Sequence, residues 1–137
     1  MHRYVPRTAI GAIILGLWAP SAMAHHSIEG IYDASKTISA TGVLTKIQWQ
    51  NPHMWFYIDV TDATGKVTTW EFEGASPNNV SRNGTTRQDF IGNIGKIVTV
   101  KAIPARNGSP RGSAAFITFA DGRERAVGAA RTAEANN

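Results

Sequence analysis

With 137 residues the chain is long enough for one domain with a single modest core. It contains no cysteine, which excludes disulfides, thiolate zinc sites, thiol redox chemistry and cysteine nucleophiles. Its formal net charge of +4 comes without a cluster of Lys and Arg, and that argues against nucleic acid as the main partner.

Residues 1–24 read as a cleavable secretory signal peptide. Arg3 and Arg7 form a positive start, residues 9–19 a short apolar run, and Ala22-Met23-Ala24 a small-x-small site, so cleavage is expected between Ala24 and His25. The apolar run is far below the ~20 residues that cross a bilayer, and Pro20 breaks it. The two arginines are not adjacent, so the twin-arginine route is not indicated. No cysteine follows the site to carry a lipid. The expected product is a 113-residue periplasmic protein with no membrane span after cleavage. The leader takes two of the 14 basic residues and none of the 10 acidic ones, so the mature net charge falls to +2.

Residues 25–40 are expected to form an N-terminal arm that docks on the domain. Strand signals then run from 41 to 125. In residues 41–50, Val43, Thr45, Ile47 and Trp49 alternate onto one face, with Leu44, Lys46, Gln48 and Gln50 on the other. Asn51-Pro52 breaks that run. Residues 53–60 form the next strand, with Met54, Phe56, Ile58 and Val60 on one face and Trp55, Tyr57 and Asp59 on the other. A turn at 62–65 makes a hairpin with residues 66–73, where Trp70 and Phe72 lie opposite Thr69, Glu71 and Glu73. Ser76 before Pro77 starts a short helix that Asn83-Gly84 ends. Residues 90–95 read as a loop, 96–103 and 114–119 as the fourth and fifth strands, and 126–137 as a disordered tail.

Five strands with one short helix between the third and fourth suit an all-β, five-stranded Greek-key barrel of the OB type. The alternative, an open β-sandwich, usually needs more strands. The expected core is Val43, Ile47, Phe56, Ile58, Phe72, Val98, Val100 and Ile117.

Several short motifs stand at spaced positions. Ala24-His25-His26-Ser27 follows the signal, and Trp49-x-Asn51-Pro52-His53 precedes an aromatic strand closing on Asp59-Val60. Asp62-x-x-Gly65-Lys66-Val67, Trp70, Gly74, Pro77-Asn78, Gly95 and Asp121-Gly122-Arg123 complete the set. Together, from His25 to about Arg123, these resemble the exported bacterial proteins grouped as domain of unknown function 6152. The resemblance implies export and a small β domain, and implies no activity. The chain departs from that pattern at Arg82-Asn83-Gly84-Thr85. Asn83 and Thr85 stand there in place of an arginine and a tryptophan, so a basic-aromatic ligand contact is not expected at that segment.

The mature chain has three histidines: His25, His26 and His53. An N-terminal histidine chelates through its α-amine and Nδ1, and one more imidazole makes a three-nitrogen site that suits Cu(II). His26 offers a second geometry, in which the free amine, the intervening deprotonated amide and its imidazole bind one ion. His53 is the tertiary candidate, placed where Asn51-Pro52 turns the chain into a strand. Otherwise the histidine pair is only a polar start, and His53 only caps its strand. The expectation is thus a non-enzymatic binding protein, with copper as its cofactor through His25, His26 and His53.

The alternative is an adaptor that recognises an envelope peptide, glycan or protein. Its ligand face would be outward-pointing Trp55 and Tyr57 beside Glu71 and Glu73, unless Ile28, Ile31 and Tyr32 of the arm cover the two rings. Catalytic signatures are missing: no Gly-x-Ser-x-Gly elbow and no phosphate loop occur. Glu71 and Glu73 have no facing acid for glycoside hydrolysis and read as two solvated carboxylates. Arg106, Arg111, Arg123 and Arg125 read as solubilising charges.

Overall fold

The computed structural model describes residues 28–128, with side chains from Gly30 onward. The expected signal peptide, His25 and His26 therefore lie outside the described residues, as does the side chain of Ile28. The element order is α1 (Ile28–Ile31), β1 (Ile38–Gln48), β2 (Trp55–Thr61), β3 (Val67–Glu73), α2 (Pro77–Arg82), α3 (Arg87–Ile91), β4 (Ile97–Pro104), β5 (Arg111–Thr118) and β6 (Glu124–Ala126).

β1, β2 and β3 form an antiparallel meander, β4 pairs with the outer edge of β1, and β5 pairs antiparallel with β4. A parallel pairing of β3 with β5, from Glu71↔Arg111 to Glu73↔Ser113, closes the sheet on itself. The result is an all-β, five-stranded OB-like Greek-key barrel with its helical segment between β3 and β4. The alternative of an open sandwich is ruled out by that closure. The hairpin between β2 and β3 turns where expected. The Asp62 carboxylate accepts from the Thr64 and Lys66 amides, and Gly65 takes φ +85°.

Alternation puts Met54, Phe56, Ile58 and Phe72 in the core, with Val98, Val100 and Ile117 from the opposite wall. Phe56 stacks on Phe72, and Phe90 joins Phe56 and Phe119. Two members of the first strand depart from expectation. Leu44 is 0% exposed and Val43 is 37% exposed. The cause is a β-bulge: Leu44 pairs with Ile58 and Lys46 with Tyr57, leaving Thr45 as an extra residue. Before the bulge Ala40, Gly42 and Leu44 point inward; after it Ile47, with Trp49 just beyond the strand, packs against the core. Gly42 is required there, because a Cβ would run into the Asp59 carbonyl oxygen on β2.

Three boundaries also shift. The segment after β3 carries two helices, not one. Ser76 caps α2 with Pro77 in its first turn, and Thr86 and Asp89 cap α3 reciprocally. β1 begins at Ile38, so the arm ends before residue 40. The tail does not begin at 126: Ala126 pairs with Phe116, Val127 is buried, and the Val127 carbonyl accepts from the Ala75 amide. Residues 129–137 lie outside the described residues.

Candidate site at the His53–Glu73 pair

The outward face of β1, β2, β3 and β5 is built as two rows of cross-strand neighbours. One row is Gln48, Trp55, Glu73 and Ser113; the next is Lys46, Tyr57, Glu71 and Arg111. The period of two that buries Phe56 and Phe72 therefore aligns Trp55, Tyr57, Glu71 and Glu73 on one surface. All four are half-buried.

Both carboxylates are engaged, so neither is the solvated group the sequence suggested. The Arg111 guanidinium donates to Glu71 Oε1 and lies over the Trp55 ring, 5.4 Å from its centroid. Arg111 is thus part of this face and not a solubilising charge at a turn. Lys46 lies 5.1 Å from the Tyr57 centroid, and the Tyr57 hydroxyl donates to Gln48 Oε1 at 3.2 Å. Each ring already carries a cation. Among the other arginines, Arg123 bridges Asp121 and Asp89, Arg106 stands in the loop after β4 and Arg125 in β6.

Glu73 holds two partners on one carboxylate. Its Oε1 bonds His53 Nδ1, and its Oε2 accepts the Tyr32 hydroxyl at 2.7 Å. His53 stands in the turn between β1 and β2 with its side chain exposed. Its partner is this carboxylate and not the backbone near Asn51. An ionised carboxylate only accepts, so in this pair Nδ1 supplies the proton, and the lone pair of a neutral ring is on Nε2. Tyr32 is 1% exposed. Burial pushes its phenol above the usual tyrosine range, and the bond to Glu73 adds to that shift.

Tyr32 was expected at this face only as a cover for the two rings, and not as a hydrogen-bond partner of Glu73. Its signal in the sequence was a large amphipathic ring in an otherwise polar arm, which does not by itself name a partner. Backbone bonds on either side fasten it: the Arg106 amide donates to the Ile31 carbonyl and the Asp33 amide to the Pro104 carbonyl, each at 2.9 Å, around a Tyr32–Ala105 bridge. Of the arm residues expected to cover the aromatic face, Tyr32 reaches it through Glu73 and Ile31 remains exposed.

Among the described residues no three His, Cys, Asp or Glu side chains form a metal-binding group, and His53 is the one histidine described. No described helix is long and apolar enough to cross a membrane. In the segment that departs from the family pattern, Thr85 is fully buried with its hydroxyl toward the Ala126 carbonyl, 3.5 Å away. Asn83 provides the C-cap of α2.

No curated protein and no solved structure matches the chain. One family model does, over residues 14–114, a span reaching from the apolar run near the N-terminus into β5. With its histidine-bearing turn, its aromatic second strand and the β3–β5 pairing that closes the barrel inside that span, the chain belongs to the family of unknown function DUF6152.

Proposed function

We propose that this is an exported, non-enzymatic periplasmic protein that binds Cu(II) through its processed N-terminus, with His53 as the ligand supplied by the barrel. The observation that carries this reading is the His53–Glu73 pair. A metal-ligating histidine ordinarily gives its second ring N–H to a carboxylate, which fixes the tautomer and raises the basicity of the ligating nitrogen. His53 has that arrangement, with Nε2 as the nitrogen for the metal. The aromatic face supports the adaptor reading less well, because Arg111 and Lys46 already lie over Trp55 and Tyr57.

The ligand set is the α-amine and imidazole of His25 with His53, or the amine, the next amide and His26. Both need a free amine at His25. The test uses protein purified from its own periplasm, with an intact mass corresponding to residues 25–137. Cu(II) is titrated into that protein, into one carrying an added Gly before His25, and into His53→Ala. The added residue should weaken binding by orders of magnitude and leave the fold unchanged. His53→Ala should weaken it less, as the loss of one ligand. Affinity should also fall on acidification, because protonated amine and imidazole cannot ligate. Equal, weak binding by all three proteins would make copper incidental and leave the Trp55/Tyr57 face as the leading site.

A further inference from the structure

We infer that Asn107 is a site of spontaneous deamidation, a covalent modification set up by the turn between β4 and β5. This inference does not depend on the copper reading. The chain carries two Asn-Gly steps, Asn83-Gly84 and Asn107-Gly108. In both, the asparagine and the glycine are exposed to water. In both, the glycine has a positive φ and nothing stands where a Cβ would be, so the approach to its main chain is open. What separates the two steps is where the next amide along the chain points.

The Gly108 nitrogen gives up its proton to hydroxide and forms a bond to Asn107 Cγ. The carbonyl electron pair moves onto Oδ1, and its return breaks the bond to the side-chain nitrogen, which takes a proton from water and leaves as ammonia. That proton transfer regenerates the hydroxide. Water then opens the cyclic imide at either carbonyl and leaves aspartate or isoaspartate at position 107. The net change is a water consumed and an ammonia released, with no oxidant or reductant.

At Asn107 the Ser109 amide already donates to Oδ1 at 3.0 Å. A donor therefore stands on the atom where negative charge develops, and its bond strengthens as that oxygen becomes an anion. Against this, the Gly108 amide must give up its bond to the Ala105 carbonyl, at 3.2 Å. At Asn83 the counterpart of the Ser109 amide is that of Thr85, and it donates to the Val80 carbonyl instead. The Asn83 amide donates to the Asn79 and Val80 carbonyls and the Gly84 amide to the Ser81 carbonyl at 3.0 Å, so the end of α2 holds this step by three successive amides. Modification at Asn107 adds a carboxylate to the turn, and an isoaspartyl link adds a carbon to its main chain. The adjacent Arg106 amide is one of the two that fasten the arm, through the Ile31 carbonyl.

The test incubates the purified protein at mildly alkaline pH, folded and again unfolded in urea. Both asparagines are followed by peptide mapping that separates the aspartyl and isoaspartyl products. In urea the two steps should convert at similar rates. On folding, Asn83 should slow by about tenfold or more, the scale of the hydrogen bonds that hold it, while Asn107 should stay within about threefold of its unfolded rate. Ser109→Pro removes the donating amide and should slow Asn107 about tenfold in the folded protein, whereas Ser109→Ala keeps the amide and should leave the rate unchanged. Thermal unfolding checks that each variant is folded. If Asn107 slows on folding as much as Asn83 does, the turn protects the site and the inference is overturned. A folded Ser109→Pro protein that converts Asn107 at the parent's rate overturns it as well.

Discussion

Glu73 is the residue on which the arm and the β1–β2 turn both converge, and its chemistry is an acceptor's at both oxygens. An amide in its place would keep the volume but present one N–H₂ to a neighbour that must donate. Glu73→Gln is expected to weaken Cu(II) binding by about 10–100-fold, the usual cost of removing the partner behind a ligating histidine. The fold should survive, because Glu73 lies on the outward face of β3. Competition titration beside a denaturation curve checks both parts. An unchanged affinity would remove the principal support for the metal reading. Glu71, one pleat away, is neutralised by Arg111 and should be silent in the same titration.

Among the elements, β1 and α3 owe their form to single residues. Thr45 is one more residue than β2 can pair, so the inward face of β1 changes parity there. Leu44→Ala should then cost about 2–5 kcal/mol, as for other buried leucines. Val43→Ala should stay within about 0.5 kcal/mol, as for surface positions. Urea midpoints of the two variants decide between the bulged strand and a regular one, which would reverse the order.

In α3 the Thr86 amide holds the Asp89 carboxyl below its ordinary range against a smaller opposing effect of desolvation, and the Thr86 hydroxyl, Arg123 and Arg125 add to the lowering. A lowered folded-state pKa means that this stability is present above the unfolded carboxyl value and lost as pH falls through the folded one. Asp89→Asn should therefore cost about 1 kcal/mol at neutral pH. The difference from the parent should shrink as pH falls below about 4. Paired denaturation curves at pH 7 and at successively acid values read it.

At the scale of the molecule, closure comes from β3 and β5, which are far apart in sequence and parallel in space. β6 then takes over the edge of β5 that β3 leaves, and Val127 fills the core beneath it. Val127→Asp would bury an unpaired carboxylate at a position with no exposed surface. It should destabilise the barrel by several (~3 or more) kcal/mol, against almost nothing for a residue in a frayed tail. A thermal midpoint equal to the parent's would return Val127 to the tail.

What the sequence determined by itself is whatever depends on neighbours in the chain. Alternation over 53–60 and 66–73 gave the faces of β2 and β3, because side chains of a strand point to opposite sides in turn. That was enough to put Trp55, Tyr57, Glu71 and Glu73 together on one surface. The number and order of strands and the helix between the third and fourth were sufficient to indicate the barrel. The capping box of α3 was also legible, as Thr86-x-x-Asp89, although the loop reading of 90–95 passed over it. The tertiary structure alone decided the rest. A bulge is defined by the partner strand's register, so no pattern within β1 could move Val43 out and Leu44 in. The burial of Val127 depends on β3 ending where it does. His53, Glu73, Tyr32 and Arg111 come from the β1–β2 turn, β3, the arm and β5, and are joined only when the sheet closes. Which charge finds which partner is a matter of distance in the closed barrel, and separation along the chain carries no information about it.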